Sequence, residues 1–594
     1  MATRSIAVTF RLVGRGSVES KIEPALQPPP FIPPSAKRGA DQFVGREWAL
    51  DEVAGWMDGG TERVLLLVAE PGWGKSSLCA WLIGLGPQPT DAAAKARLER
   101  VRADWSAAHL CSATSGSTVN PKTFSRVVAS QLAHRYDDFA AAFLQRAAPG
   151  EYNVTITAQE ILGRAIGIMT DQIIVEADNA WDVYEESVRL PLTDIAARDP
   201  DGGPIFILVD GLDDAVTFRQ PNIVDLLARS TDLPERVRFL LTSRRETRVL
   251  QAFPASSGVR VVQMPDPARR EANDDDLRAY VRTRMSEPNV QAWAGRAGLE
   301  AEAFVDHLVA QADGNFLFTQ FVLDSPPPAD GDPRLVPTGL EAAYDEFLAR
   351  VLPGMSAYGG DPTWEGAVKP VLGALAVAVP AAPEKALPRW LGGKGDVPQA
   401  LATVGQMTEW IDEDGGARRL YHRSLADFLA AESLPPVAGE PQPNRFFVAP
   451  RERHQAIADY YLGAIETEWG GDWSQCDRYG LKRLIAHLHA LHAMTEGRAP
   501  RAALAERLCD LALDPGFQAA QRSVLGDGSA TIESIRLALE ASADTGAPAA
   551  IRDRIRRVAE SWEPEMRADA ARALAELGRT DPGNALDELK ALVR

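Results

Sequence analysis

The segment VLLLVAEPGWGKSSL, residues 64–78, constrains the fold more than any other stretch of this chain. An apolar run, residues 64–69, leads into a turn with two glycines, and a lysine and two serines follow the turn. Continuous apolar runs are typical of buried parallel strands, and glycines permit sharp turns. The segment therefore predicts a buried strand, a tight turn and a helix that begins at Lys75.

The turn differs by one residue from the P-loop pattern G-x-x-x-x-G-K-[ST], because Ala69 stands in place of the first glycine. A Cβ is tolerated there if the backbone of Ala69 is strand-like. Gly72 and Gly74 let backbone N–H groups converge on an anion, and the following helix adds its positive end. The alternative is a strand–turn–helix unit whose glycines are incidental.

The side chains of the turn fit a nucleotide and its metal. Lys75 is expected to reach the β- and γ-phosphates, the Ser76 hydroxyl to bind Mg²⁺, and Ser77 to offer a second hydroxyl. Pro71 and Trp73 complete the predicted phosphate-binding loop. Trp73 is expected either to shield the phosphates or to pack in the core.

A second apolar run, residues 205–209, ends in acidic residues. Ligands of open α/β sheets lie beyond the carboxyl ends of the strands, so these acids are expected at the phosphate site. Asp210 would hold Mg²⁺ through water, and Asp213 and Asp214 would orient or activate the attacking water. The alternative is an acidic loop that caps a helix.

A third apolar run, residues 237–241, leads to Thr242, Ser243, Arg244 and Arg245. An arginine at this strand end can sense a γ-phosphate and offset the charge that develops during hydrolysis. Arg244 is preferred over Arg245 for this role. Both arginines could instead pair with surface acids.

Composition narrows the class of protein. The chain has 594 residues and a net charge of −19, which argues against a general nucleic-acid surface. The four cysteines form no CxxC pair, which argues against a disulfide framework or a zinc site. The sequence does not open with a secretory signal. Its longest apolar run, residues 371–379, is too short to span a bilayer. These features predict a cytoplasmic protein of several domains without a membrane partner.

Several motifs in order resemble the NACHT branch of the STAND ATPases, the P-loop signalling enzymes related to NOD-like receptors. The P-loop core carries FVGRE (43–47), AEPGWGKSSL (69–78), LVDGLDD (208–214) and LLTSR (240–244). Further along, ADGNFLFTQFVLD (312–324) resembles the small helical domain of the family, and YHRSLADFLAAE (421–432) resembles its winged-helix domain. The resemblance spans roughly residues 40–520.

The resemblance implies a fold class: an α/β P-loop NTPase core with helices on both faces of a parallel sheet, then small helical, winged-helix and α-helical repeat-like domains. The predicted ranges are 1–38 for an N-terminal strand (residues 5–13) and proline-rich linker, 39–265 for the P-loop domain, 266–355 for the small helical domain, 356–434 for the winged helix and 435–594 for a helical sensor. Residues 324–337 and 433–444 are expected to be linkers or breaks.

The resemblance also implies site residues. His422 matches the family histidine that contacts the β-phosphate of ADP and locks the closed state. Phe43, Val44 and Arg46 are candidates for the adenine and ribose side. Phe316 stands where many members carry a proline near adenine, which puts adenine contacts from that segment in doubt. No [NT]KxD element for guanine is visible in the sequence, so ATP is favoured over GTP.

The resemblance implies a molecular switch that is closed with ADP and that opens and oligomerises when Mg²⁺-ATP and a protein trigger bind. The open form would recruit an effector, and ATP hydrolysis would be slow. Bacterial relatives often act in defence or regulation. One alternative is a nucleotide-stabilised scaffold with little turnover. Another, a DNA-dependent regulator, is disfavoured by the negative charge. Three features are assigned to packing or surface roles: the histidines His487, His489 and His492, the basic stretch 552–557, and the tryptophans Trp56, Trp293 and Trp364.

Overall fold

The computed structural model describes part of the chain. It covers residues 31–542 apart from residues 113–117, 148–179, 219–220, 231, 257, 328–331, 333, 335, 353, 355–360, 380, 394, 412–415, 438–439 and 526–528. The predicted strand at residues 5–13, the basic stretch 552–557 and the last predicted helical hairpins lie outside the described residues.

A five-stranded parallel sheet forms the centre of the N-terminal lobe. The strands are β1 (Val64–Val68), β2 (Trp105–Leu110), β3 (Ile205–Asp210), β4 (Val237–Ser243) and β5 (Val259–Gln263). Their order across the sheet is β2-β3-β4-β1-β5. The three apolar runs of the sequence therefore form the three central strands, as predicted, and the edge strands β2 and β5 are new.

Alternate side chains of the central strands enter two separate apolar clusters. In β1, Leu66 lies in one cluster, whereas Leu65 and Leu67 lie in the other. In β3 the same division separates Ile207 from Leu208. Successive side chains of a strand point to opposite faces, so both faces of the sheet are covered. This is the α/β core that the sequence predicted.

The covering helices alternate with the strands. They are α1 (Pro34–Asp41), α2 (Glu47–Gly59), α3 (Lys75–Leu82), α4 (Ala92–Asp104), α5 (Pro121–Arg135), α6 (Asp137–Ala147), α7 (Ala180–Tyr184), α8 (Leu190–Arg198), α9 (Leu212–Ala215), α10 (Ile223–Ala228) and α11 (Thr247–Ala252). A π-helical turn, Glu185–Arg189, joins α7 to α8. Trp56 is fully buried beneath α2, as expected of a packing residue.

Helix α1 occupies part of the segment predicted to be a proline-rich linker, which corrects that expectation. Its proline lies in the first turn, where a missing N–H costs nothing. Small residues then let the helix approach α3 closely: Ala36 and Ala40 pack against Ala80, and a Cβ on Gly39 would lie 2.0 Å from the Ser77 hydroxyl. The helix thus rests directly on the helix that follows the P-loop.

From residue 270 to residue 542, the described part of the chain is mainly helical. The helices are α12 (Arg270–Arg284), α13 (Pro288–Ala297), α14 (Ala301–Ala312), α15 (Phe316–Asp324), α16 (Leu340–Val351), α17 (Lys369–Val377), α18 (Leu387–Trp390), α19 (Val397–Val404), α20 (Arg423–Ala430), α21 (Pro450–Thr467), α22 (Arg478–Ala493), α23 (Arg498–Ala512), α24 (Pro515–Leu525) and α25 (Ser529–Ser542). One apolar cluster extends from Leu277 to Ala541 and contains Trp293 and Trp364. The three predicted domains of this region share that core, and their boundaries stay predictions.

Two small antiparallel sheets interrupt the helices. Strands β6 (Ala382–Pro383), β7 (Thr408–Ile411) and β8 (Ala417–Leu420) form one, in the order β6-β8-β7. Strands β9 (Ser433–Val437) and β10 (Glu440–Pro443) form a hairpin where the sequence predicted a break. A two-stranded hairpin consists only of edge strands, which tolerate proline. Among the described residues, we find no helix that combines the length and apolarity needed to cross a bilayer.

Candidate functional site

A cavity of about 220 Å³ lies at the carboxyl edge of the parallel sheet, between the N-terminal lobe and the segment around α20. Its walls include every site residue predicted from the sequence except Trp73, whose ring instead packs with Ala69 and Met264. The predicted residues that line it are Phe43, Val44, Arg46, Pro71, Gly72, Gly74, Lys75, Ser76, Ser77, Asp210, Asp213, Asp214, Arg244 and His422.

The P-loop turn has the backbone conformation that anion binding needs. Gly72 and Gly74 adopt φ angles of 83° and 78°, which favour glycine. Ala69, in contrast, continues the strand: its N–H donates to the Ser243 carbonyl at 3.2 Å, and its φ is not positive. The alanine is thus accommodated where the motif has glycine, and α3 begins at Lys75 as predicted.

Lys75 is buried and folded back onto its own loop. Its Nζ donates to the carbonyl oxygens of Ala69 at 2.7 Å and Glu70 at 3.1 Å. Burial lowers the pKa of Lys75, and the neighbouring Asp213 and Asp210 carboxylates oppose that effect. The ammonium group therefore lies beside the acidic strand end, in the part of the cavity that the P-loop turn lines.

Asp210 is the candidate metal ligand. The Thr242 hydroxyl donates to its Oδ1, and the buried Oδ2 has no hydrogen-bond partner among the described residues. Burial raises the pKa of Asp210, while the Thr242 and Ser76 hydroxyls and Lys75 lower it. A buried carboxylate oxygen without a partner costs free energy unless a cation or donor joins it. A carboxylate and a hydroxyl are ligands that suit Mg²⁺, so these residues fit that ion.

Asp213 is bound to Arg244 by two contacts. Its Oδ1 accepts from the Arg244 backbone N–H at 3.0 Å, and its Oδ2 lies 3.0 Å from Arg244 Nε. The Nη1 of Arg244 also donates to Asp427 of α20 at 3.2 Å. Arg245 does not line the cavity and pairs with exposed Glu70 at 3.7 Å. Arg244 therefore lines the cavity and Arg245 does not, and the role of Arg244 as a γ-phosphate sensor stays a prediction.

A second ion pair joins the same two parts of the molecule. Arg423 Nη1 donates to Asp214 Oδ1 at 2.7 Å, across 209 residues of sequence. Asp214 and Arg423 both line the cavity. Sequence reasoning identified Asp214 but missed Arg423, although it directly follows His422 in the YHRS motif.

His422 lies at the start of α20 and faces the cavity. Its Nδ1 accepts from the Ser424 backbone N–H at 3.1 Å. Burial lowers the pKa of His422 to about 3, helped by the positive charges of Arg244 and Lys75. The imidazole is therefore neutral, and because Nδ1 is an acceptor the proton lies on Nε2. A neutral ring with Nε2–H can donate to a phosphate oxygen.

Arg46 is held by protein groups on all sides. Its Nη1 donates to Asn273 at 2.5 Å, its Nη2 donates to the Trp73 carbonyl at 2.8 Å, and its backbone N–H donates to Asp276 at 2.9 Å. Its guanidinium lies 4.5 Å from the ring centroid of Phe316. Only 1% of the side chain is exposed, and burial lowers its pKa to about 10. Arg46 thus joins the P-loop to α12, and the nucleotide contact that the sequence suggested stays a prediction.

The start of α15 also docks on the P-loop. The Gly72 carbonyl accepts from the N–H groups of Phe316 at 2.9 Å and Leu317 at 3.1 Å, and Asn315 Nδ2 donates to the Pro71 carbonyl at 2.9 Å. A Cβ on Gly72 would lie 2.2 Å from Asn315 Oδ1. Phe316 lines the cavity in the segment that the sequence left in doubt.

Sequence reasoning missed the residues at the mouth of the cavity. Arg38 of α1 and Arg419 of β8 both bind the Glu409 carboxylate of β7. Tyr280 of α12 donates to Gln42 Oε1 at 3.3 Å. These residues belong to an unpredicted helix or lie far apart in sequence, so no local motif marks them.

Of the three α22 histidines that the sequence assigned to packing or surface roles, His487 packs in the interior. His487 is buried, and its ring bonds to His454 Nδ1 at 2.7 Å and to the Tyr479 hydroxyl at 2.9 Å. No group of three or more potential metal ligands occurs among the residues that the structure describes.

Comparison with known proteins gives one sequence match and several structural ones. The family model described as "Nephrocystin 3, N-terminal" matches residues 46–244, about a third of the chain, which run from Arg46 to Arg244. No curated protein sequence matches the chain.

Among solved structures, a STAND ATPase with a tetratricopeptide repeat sensor from Pyrococcus horikoshii aligns with a TM-score of 0.33 and 12% identity, over 93% of this chain and 72% of that protein. A Walker-type ATPase of Pyrococcus abyssi aligns with a TM-score of 0.28 and 13% identity, over 65% and 97%. Both scores are low, so the fold class rests on the sheet order and the P-loop themselves: an α/β P-loop core is followed by a largely helical remainder.

Proposed function

We propose that this chain is a NACHT-type STAND ATPase, a switch that binds adenine nucleotide with Mg²⁺ in the cavity between its lobes. One observation carries the proposal: the P-loop, the acidic strand end and His422, a residue of α20, line a single cavity. A ligand that contacts both sides stabilises their closed arrangement only if it binds that arrangement better than the open one.

Each wall has a distinct task in binding. The backbone N–H groups around Gly72 and Gly74 would hold the β-phosphate, with Lys75 beside them. Ser76 and Asp210 would hold the metal, and bound Mg²⁺ supplies positive charge that offsets the charge of the phosphates. The apolar end of the cavity would take the base.

Apolar residues that line the cavity and could take the base include Phe43, Val44 and Phe316, together with Ala36 of α1. Flat aromatic and aliphatic side chains suit the faces of a nucleobase. ATP over GTP remains the expectation from the sequence.

Hydrolysis needs a base and a cation near the reacting phosphate. Asp213 and Asp214 would orient the attacking water and accept its proton, and Arg244 would stabilise the charge that develops. All three are bound in ion pairs in this structure. These pairs must be broken before the residues can act, so turnover is expected to be slow.

The exchange of ADP for ATP would then signal that a trigger has bound. Moving the protein from mostly closed to mostly open requires about 5.5 kcal/mol of differential binding. A second, protein ligand on the C-terminal helices would supply what ATP does not, and the open form would oligomerise and recruit an effector. A cytoplasmic role in bacterial defence or regulation is part of this proposal, on the resemblance alone.

The test is nucleotide binding and hydrolysis by the full chain, measured by calorimetry and phosphate release with Mg²⁺ present. Lys75→Ala should lose affinity, and Asp213→Asn combined with Asp214→Asn should bind ATP without hydrolysing it. Lys95→Ala, which alters an exposed lysine of α4, is the matched control. No nucleotide uptake by folded parent protein would refute the proposal, and binding with equal, negligible hydrolysis in all variants would favour the scaffold.

A further inference from the structure

Helix α20 places two opposite charges against the residues assigned to hydrolysis. Asp427 lies 3.2 Å from Arg244, and Arg423 lies 2.7 Å from Asp214. Arg423 and Asp427 are four residues apart, so they share one face of the helix. Each could pair with the other along the helix, yet each also binds a residue of the N-terminal lobe.

Arg244 therefore has two carboxylate partners of different origin. Asp213 follows β3 in the same lobe as Arg244, whereas Asp427 belongs to the segment that also carries His422. When the segment moves away, only the Asp427 contact is lost. The Arg244–Asp427 pair is thus specific to the closed arrangement.

We propose that Asp427 is a specificity-determining residue that competes with the γ-phosphate of ATP for Arg244. The inference rests on the proposed function and names the group by which that switch tells ATP from ADP. ADP, which has no γ-phosphate, leaves the Arg244–Asp427 pair intact and is compatible with the closed form. ATP brings a γ-phosphate to Arg244 and sets two negative groups against each other, so the closed form is disfavoured.

The size of the effect of Asp427 on nucleotide preference depends on how exposed the Arg244–Asp427 pair is to solvent. The Arg244 side chain is 22% exposed and that of Asp427 is 55% exposed, so solvent screens their attraction. Partly exposed ion pairs of this kind change an equilibrium by about two- to fivefold. Asp427 therefore adjusts the preference between the two nucleotides, and the P-loop supplies most of the affinity for both.

The test compares dissociation constants for ADP and for a non-hydrolysable ATP analogue, with Mg²⁺, at low salt. Asp427→Asn should weaken ADP and strengthen the analogue, which changes the ratio of the two constants by about two- to fivefold. Asp427→Glu keeps the charge and should restore the parent ratio. Added salt should reduce the difference between parent and Asp427→Asn.

Asp306→Asn is the matched control, because Asp306 also pairs with an arginine, Arg278, at 2.8 Å and is 61% exposed, but within one lobe. It should leave the ratio unchanged. A ratio for Asp427→Asn equal to that of the parent would overturn this inference while the proposed function stands. A parent that binds neither nucleotide would overturn both.

Discussion

Replacing Arg46 with methionine distinguishes a structural clamp from a nucleotide ligand. The change keeps an unbranched apolar stem but removes the guanidinium group, with its charge and all its donors. Two hydrogen bonds would be lost, one to the Trp73 carbonyl at 2.8 Å and one to Asn273 at 2.5 Å. Asp276 would keep its bonds from the Arg46 backbone N–H and from Trp48, but it would lose the only guanidinium within 4 Å among the described residues.

The expected cost can be worked out from these contacts. Removing one partner of a buried ion pair destabilises a protein by about 3–5 kcal/mol. The Arg46 Nη1–Asp276 Oδ2 distance is long, 3.8 Å, and burial already raises the pKa of Asp276, so we take the lower end of that range. A loss of about 3 kcal/mol in the free energy of unfolding corresponds to a fall in melting temperature on the order of 6–12 °C for a domain of about 150–250 residues, the size range of the predicted P-loop domain.

The assay pairs thermal unfolding with calorimetric titration of ADP. Arg282→Met is the control, because Arg282 pairs with Glu302 on the surface and both side chains are largely exposed. Arg46→Met should melt much earlier than the control. If Arg46→Met instead melts with the parent but no longer binds ADP, Arg46 is a ligand of the nucleotide and the clamp interpretation fails.

Three other changes test separate parts of the molecule, two of them in the site. Gly72→Ala should lower the free energy of unfolding by at least about 1–3 kcal/mol, because φ is 83° there and the new Cβ meets Asn315. Calorimetry should also show weakened ADP binding. Unchanged affinity would contradict the docking of α15 on the P-loop. Thr242→Val removes the hydroxyl that donates to Asp210, so it should lower the affinity for Mg²⁺ about tenfold. The measurement is a nucleotide titration at several Mg²⁺ concentrations. An unchanged Mg²⁺ requirement would contradict this prediction. Burial lowers the pKa of His487 to about 3, so between pH 6.5 and 3 the unfolded chain binds a proton that the folded chain does not, and stability falls as the pH falls. At pH 5.5 the free energy of unfolding is lower by about 1.4 kcal/mol because of this histidine. The melting temperature of His487→Gln should therefore fall less than that of the parent between pH 7.5 and 5.5. Equal falls would show that the histidine titrates in the folded protein.

The central sheet and the phosphate loop could be predicted because their signals are local. Strands β1 and β3 contain continuous apolar runs, and the apolar run of β4 is interrupted by Arg238. Parallel pairing fixes the polar residues that follow these runs at the same edge of the sheet. The edge strand β2 escaped because Ser106 and His109 interrupt its apolar pattern, although both side chains are buried. Their polar groups are satisfied by Tyr136 and the Thr118 carbonyl, partners that the pattern does not reveal.

Helix α1 was missed for a different reason. Its proline-rich approach and small residues indicate a linker when the sequence is considered alone. In the structure the same small residues allow close contact with α3, and Gly39 fits against Ser77 where a larger side chain would not. The helix is therefore stabilised by packing that only the tertiary structure supplies.

The sequence identified Arg46 and Arg244 as residues of the site, but it missed Arg423 and did not reveal which acids pair with these arginines. A buried charge needs a partner, so the buried Arg46 was certain to find an acid. Arg244 and Arg423 are only partly buried, and each also pairs with an acid. The acid can come from anywhere in the chain: Asp276 lies 230 residues from Arg46, and Asp427 lies 183 residues from Arg244. Motifs specify which residues meet the ligand because that chemistry is local. In the proposed switch, long-range partners determine how firmly those residues are held, and hence how much binding energy ATP must contribute to release them.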